Sequence, residues 1–221
     1  MESVLDRVIK QNTENVNLLK TKDYNIFSVL QIQSKEVLIC RMIADLLNPR
    51  GQHGAGAEYL KIFLRDCLGM EKMDTKLADQ AIVTAEYAID DERRIDIVIE
   101  MGSYFLPIEV KIYAADQKSQ CFDYYQYAKR RDAQAKVYYL TLDGHRPGKD
   151  STSSGSQSVP EEDIVCLSFR EHILNWLKAC KNCGNTGMIP ILEQFIRNIE
   201  QISGYTSERV RNMVIDELLV S

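Results

Sequence analysis

The sequence predicts a mixed α/β protein organised around one central sheet, and three observations lead to that reading. Three runs of alternating apolar and polar residues, at 81–89, 94–101 and 104–112, follow one another with joins too short for crossover helices, which makes them an antiparallel meander. A helical segment over 117–131 then leads into strand-like runs at 136–144 and 164–169. Helical periodicity brackets the whole, so the order is α-β-β-β-α-β with extra N- and C-terminal helices, a central sheet flanked by helices. We read 1–221 as one domain, with a core over about 28–170 and a helical C-terminal extension over 171–221.

Each element has its own signal. Residues 1–20 form a polar amphipathic pattern with Val4, Leu5, Val8 and Ile9 on one face. The spacing of Ile32, Ile39, Ile43 and Leu46 predicts a helix over 28–48, closed by Pro49. "NPRGQHGAG" follows as a structured loop, and a short helix is expected over 57–68. His53 sits in that loop, where backbone donors can meet a phosphate, although a histidine bonded within its own turn is the preferred reading. "HRPGKDSTSSGSQSVPEED" reads as a mobile polar loop. Helices broken near 184–187 and 204 complete the chain, and no internal repeat is visible. His145 and His172 show no partner in the sequence.

Composition narrows the function classes. The chain has 221 residues, 45% hydrophobic and 27% charged, enough to bury a sizeable core. Its formal net charge of -5 supplies no global basic field, so any polyanion site must be local. Arg93, Arg94, Lys118, Lys129, Arg130 and Arg131 could furnish such a phosphate track, or else a solvated helix face. No apolar run reaches the length of a membrane span, and "MESVLDRVIKQNTENV" lacks the order of a signal peptide, so a cytoplasmic protein without membrane contact is expected. Cys40, Cys67, Cys121 and Cys166 stand singly in apolar segments and read as small core residues. Cys180 and Cys183 have C-x-x-C spacing but supply only half a tetrahedral site, and two thiols near solvent at a helix end is the favoured reading.

The chemistry concentrates in "PIEVKIYAADQKSQCFDYY", residues 107–125. Strand alternation turns Ile108, Val110 and Ile112 one way and Glu109 with Lys111 the other. If Gly102 and Ser103 make a two-residue turn, a type II′ turn suits the glycine, Met101 pairs with Tyr104, and the register brings Asp96 opposite Glu109. Ile95, Ile97 and Ile99 then form the apolar face of their strand. Two opposed carboxylates repel unless a cation lies between them, and hard oxygen ligands favour Mg²⁺ or Mn²⁺. A solvated Asp-Glu-Lys surface is the plainer alternative. Glu36 is in helical phase with Ile39, Cys40, Ile43 and Leu47, which puts a carboxylate on the core-facing stripe or at its edge. Gln117, Gln120 and Tyr124 fall on one helical face that can lie beside the patch.

Glu36 on a helix, Asp96 in "RIDIVIE", Glu109 and Lys111 in "EVK", and Gln120 with Tyr124 in "QCFDY" together resemble the PD-(D/E)XK nuclease superfamily. The order of elements matches that superfamily's restriction-endonuclease-like core, and "LLNPRGQHGAGAEYLKIFL" is similar to the opening of an uncharacterised prokaryotic branch of it. The likeness covers roughly residues 28 to 145. It implies a Mg²⁺-dependent (or Mn²⁺-dependent) nuclease acting on nucleic acid, with DNA the expected substrate. By carry-over, Asp96 and Glu109 hold the metal, Glu36 completes its site, Lys111 positions or activates the attacking water, and Gln120 supports the centre. Ile95 stands where the motif's name has proline, which leaves the chemistry untouched.

A different class of reading is a catalytically inactive module that keeps the fold to bind nucleic acid or a protein partner. Glu36, Asp96, Glu109 and Lys111 are all present, which favours the enzyme. Val210, Met213, Val214, Leu218 and Leu219 form a C-terminal apolar stripe that could pack on its own domain or in a homodimer, and a dimer is compatible with either activity.

Overall fold

A computed structural model describes residues 24–204 apart from 72 and 184. The helix expected over 1–20 and the stripe from Val210 to Leu219 lie outside the described residues. Five strands form the main sheet: β1 (Ile82–Ala88), β2 (Arg94–Met101), β3 (Tyr104–Lys111), β4 (Val137–Thr141) and, after the short hairpin strands β5 (Ser153–Ser154) and β6 (Gln157–Ser158), β7 (Ile164–Ser168). Their order is β1-β2-β3-β4-β7. The first three run antiparallel, and β3, β4 and β7 are parallel.

The meander and its turn follow the sequence reading. Met101 pairs with Tyr104, and Gly102 alone of the two turn residues has positive φ, at 59°, as a type II′ turn requires. The register runs to Ile97 opposite Ile108, one step short of Asp96 and Glu109.

One face of the sheet carries α2 (Glu36–Leu47), α3 (Glu58–Asp66), α7 (Leu174–Cys183) and α8 (Ile189–Ile202). Ile97, Ile99, Ile108, Val110 and Leu140 meet Ile43, Leu47, Phe63, Trp176 and Phe195 there in the main core. The described C-terminal helices thus build the same core as the sheet, and the Trp176 indole donates to the Tyr59 carbonyl at 2.8 Å. The opposite face is covered by α5 (Gln120–Arg131), whose Cys121, Tyr124 and Ala128 pack on Val98, Phe105, Val137 and Tyr139. With both faces covered, β3 is buried along almost its whole length, so the Glu109 face is no solvated surface.

Several expectations change. The helix expected over 28–48 is two: α1 (Ile26–Val29), started by the Asn25 side chain accepting from Phe27 N–H, and α2. Gln31 turns left-handed between them, φ 55°, and Ile32 N–H reaches back to the Phe27 carbonyl at 2.9 Å, a helix-ending pattern that apolar spacing does not register. Asn48 is extended before Pro49, as steric contact with the proline ring dictates. A short helix, α4 (Thr75–Asp79), capped by Asp74, was not expected.

The segment over 145–163 is also built rather than loose. It holds α6 (Lys149–Thr152), the β5-β6 hairpin and a 3-10 turn (Glu161–Asp163). Its serines and glycines act as hydrogen-bonding groups: Gly148 N–H donates to Asp116 at 2.7 Å, and Ser151 Oγ accepts from Cys121 N–H at 3.3 Å. Cys180 is buried while Cys183 is exposed, which corrects the picture of two thiols near solvent. Cys40, Cys67 and Cys121 are buried as expected, and Cys166 is only half-buried. Among the described residues, no helix is long and apolar enough to cross a membrane.

Candidate active site

β2, β3, α2 and α5 converge at the end of the meander. Glu109 points from β3 toward α5 with only 1% of its surface exposed, and Lys111, two residues on, shares that face at 7%. The Lys111 ammonium donates to Glu109 Oε1 at 2.5 Å, while Glu109 Oε2 is buried with no hydrogen-bond partner. Asp96 is half-buried where β2 leaves the ladder, and its Oδ2 accepts from Val110 N–H at 2.8 Å. A side-chain carboxylate therefore takes up a backbone donor beyond the last strand pair.

This departure also moves Ile95. The sequence reading set it with Ile97 and Ile99, but it packs with Val98, Phe105 and Tyr124 on the α5 side. The β1-β2 pairs Ala85 with Ile97 and Tyr87 with Ile95 flank Glu86, a strand residue with φ 53° that bends the sheet edge here. Arg41 of α2 grips the bent residue through Glu86 Oε2 at 2.6 Å.

Glu36 opens α2, half-buried, and its Oε2 accepts the Ile112 N–H at 2.8 Å just beyond the end of β3. Its neighbours Val37 and Leu38 are exposed, so the helix directs this one carboxylate at the sheet. Gln120 begins α5 at 5% exposure. Its Nε2 donates to Tyr124 Oη at 3.1 Å, and that hydroxyl donates to the Arg94 carbonyl on β2. Gln117 lies before the helix, not on its face, and its N–H donates to Gln120 Oε1 at 3.4 Å.

The electrostatics match the crowding. Burial, with the Asp96 charge adding to it, holds the Glu109 carboxyl well above the usual range. Burial also raises Asp96, and Glu36 contributes in the same direction. Lys111 would be lowered by burial, but Glu109, Asp96 and Glu36 outweigh that and keep it above its ordinary value. The Cys40 thiol on α2 is pushed far up by burial and then by Asp96, Glu36 and Glu109, so the same acids also surround it.

Some neighbours were not foreseen. Tyr139 stands beside Glu109 in the β3-β4 register, and its hydroxyl donates to Asp116 Oδ1 at 2.7 Å. Asp116 also holds Gly148, so one carboxylate ties two loops to the strand next to the site. No spacing in the sequence marks this contact, although a buried tyrosine in a strand predicts a partner for its hydroxyl.

Half of the expected phosphate track is engaged within the protein. Arg93 binds Asp123, Gln117 and the Lys118 carbonyl, Lys129 pairs with Asp163 at 3.1 Å, and Arg131 pairs with Glu100 at 2.8 Å. Arg94, Lys118 and Arg130 are exposed. His53 is buried and bonded within its own turn: Ala55 N–H donates to Nδ1, so Nε2 carries the proton and donates to the Asn48 carbonyl at 2.9 Å. His145 pairs with Asp143 at 2.6 Å, and His172 Nδ1 accepts from Ser168 N–H, so both have partners after all.

Among the described residues, no three His, Cys, Asp or Glu side chains draw together tightly enough to define a metal cluster. The donor set nevertheless suits a hard divalent cation: carboxylate oxygens only, one of them buried and unpartnered on Glu109.

A five-stranded mixed sheet with helices on both faces, bearing an acid-lysine pair beside a second acid, defines a restriction-endonuclease-like α/β protein. The family model of the PD-(D/E)XK nuclease superfamily matches residues 24–198, and the chain belongs to that superfamily. Neither the curated proteins nor the solved structures include a significant match.

Proposed function

We propose that the protein is a Mg²⁺- or Mn²⁺-dependent nuclease that hydrolyses phosphodiester bonds of DNA, with its centre at Asp96, Glu109 and Lys111. One observation carries this reading. Glu109 is a buried carboxylate with one oxygen on Lys111 and the other bare, beside Asp96. Lys111 compensates one oxygen only; the second is a buried acceptor left unsatisfied, which costs stability and which a divalent ion shared with Asp96 would meet.

Asp96 and Glu109 would hold the divalent ion, with Glu36 completing the set. Such an ion supplies Lewis acidity toward a phosphoryl oxygen and lowers the pKa of a bound water. The chain's own residues do the rest. Lys111, with its pKa held up, stays an ammonium at neutral pH, so it donates hydrogen bonds and balances charge on the phosphate rather than removing a proton. Glu109 keeps that ammonium aimed across the site. Gln120 and Tyr124 fix the α5 end of the centre against β2. Arg94, Lys118 and Arg130 are exposed cations of the expected track that would be available to backbone phosphates, in a chain whose net charge is -5. Superfamily membership supports nuclease activity in general.

Calorimetric titration of Mg²⁺ and Mn²⁺ into the native chain, Asp96→Ala and Glu109→Ala tests the reading. Saturable binding by the native chain, lost in both variants, supports it. Binding unaffected by either substitution removes it.

A further inference from the structure

Arg93 looked from the sequence like a phosphate contact. It is one-fifth exposed, and its guanidinium is committed in three directions: Nε to Asp123 Oδ2 at 3.0 Å, Nη1 to Gln117 Oε1 at 2.8 Å and Nη2 to the Lys118 carbonyl at 2.6 Å. These partners surround Ser119, the residue before α5, which is left-handed at φ 56°, ψ 14°. A side chain other than glycine holds that conformation only where its surroundings impose it. Here they do so from both sides. Arg93 holds Lys118, and the 149–153 segment holds Ser119 itself, through Ser119 N–H to the Asp150 carbonyl at 2.7 Å and Ser119 Oγ to the Ser153 carbonyl at 2.8 Å.

The next residue is Gln120. Of its two side-chain bonds, the one from Gln117 N–H spans the turn at Ser119, and the one to Tyr124 Oη, within α5, carries the placement of Gln120 on to β2. Arg94, adjacent to Arg93 on β2, receives the Tyr124 hydroxyl. A ring therefore closes from the Asp96 strand through Arg93 to the α5 entry, then through Gln120 and Tyr124 back to that strand.

We propose that Arg93 is a positioning residue, which holds Ser119 left-handed and thereby sets Gln120 against the nuclease centre. The proposal rests on the nuclease reading for its catalytic consequence only. The three bonds leave from three different nitrogens of the planar guanidinium, a spread that the single ammonium nitrogen of a lysine does not reproduce, so charge alone does not substitute.

The test compares Arg93→Ala, Arg93→Lys and Arg93→Ala combined with Ser119→Gly, because glycine adopts the left-handed turn without support. Proton exchange of the Gln120 side-chain amide in ¹⁵N-labelled protein reads the positioning without reference to activity. Loss of protection is expected in both single variants, with recovery in the combined one. In cleavage of DNA with Mg²⁺, kcat is expected to fall by about 10²-fold in both single variants, with KM little changed, and to recover in the combined variant. Unchanged Gln120 exchange in Arg93→Lys, the variant that preserves charge and bulk, overturns the proposal. So does a raised KM with unchanged kcat, near-native behaviour of Arg93→Lys and no recovery with glycine, the pattern of a phosphate contact. If the native protein cuts no nucleic acid, the nuclease reading falls while the exchange result still decides the role of Arg93.

Discussion

Glu109 and Lys111 face each other at 2.5 Å on one side of β3, both almost wholly buried under α5. Strand alternation alone accounts for their shared direction, and α5 accounts for their isolation from water. Removing only the cation leaves an uncompensated buried carboxylate. Lys111→Met is therefore expected to lower stability by about 3–5 kcal/mol at pH 8 in urea denaturation, and adding Glu109→Gln to the same chain to recover most of the loss.

Acid should stabilise the metal-free protein. Folding raises Glu109 above its ordinary value of 4.5 and Asp96 above 3.8, so the folded state binds more protons than the unfolded one at pH values above these. Their contribution is full below the ordinary values and is lost as pH rises through the folded ones. Lys111 is raised above 10.5, so its contribution is constant up to there and lost only in stronger base. With chelator present, Tm corrected by the Glu109→Gln reference should rise from pH 8 to pH 5. A flat difference between the two proteins contradicts the assignment.

Glu36 has a structural duty separable from any role toward a metal. Glu36→Gln keeps an acceptor for the buried Ile112 N–H and should remain within about 0.5 kcal/mol of native stability. Glu36→Ala orphans that donor and should lose about 1–3 kcal/mol. Both should weaken Mg²⁺ affinity by calorimetry, which distinguishes the two duties.

Gly51 is required by space rather than by φ. A Cβ there would collide with the Asp45 carbonyl oxygen and lie 2.7 Å from the His53 ring, which is pinned by Asn48 and Ala55 and stacked on Tyr59. Gly51→Ala should destabilise the fold by about 1–3 kcal/mol in urea denaturation, through displacement of the buried imidazole.

Much of the sheet was legible because its signals are local. The bounds of β2, the Gly102 turn and the register from Met101 to Ile97 follow from alternation and turn chemistry, and they bring Asp96 close to Glu109. What the sequence did not disclose depends on long-range contacts or on single backbone angles. Gln31 splits a helix whose apolar spacing continues across it, and Ile95 packs on the other face from Ile97 where β2 leaves the β3 ladder. Arg93 and Asp116 are bound by groups 23 to 32 residues away, which no periodicity encodes. Cys180 lies on the buried face of α7, where its C-x-x-C partner does not follow.

Cleavage of single-stranded and duplex DNA in Mg²⁺ or Mn²⁺, by the native chain and by Asp96→Asn, tests the central claim most directly. The amide retains an acceptor for Val110 N–H, so the fold should persist while the charge is lost. We predict cleavage by the native chain and a loss of about 10²-fold or more in the variant. Equal cleavage by the two proteins, or none by the native chain with either ion, would contradict the account.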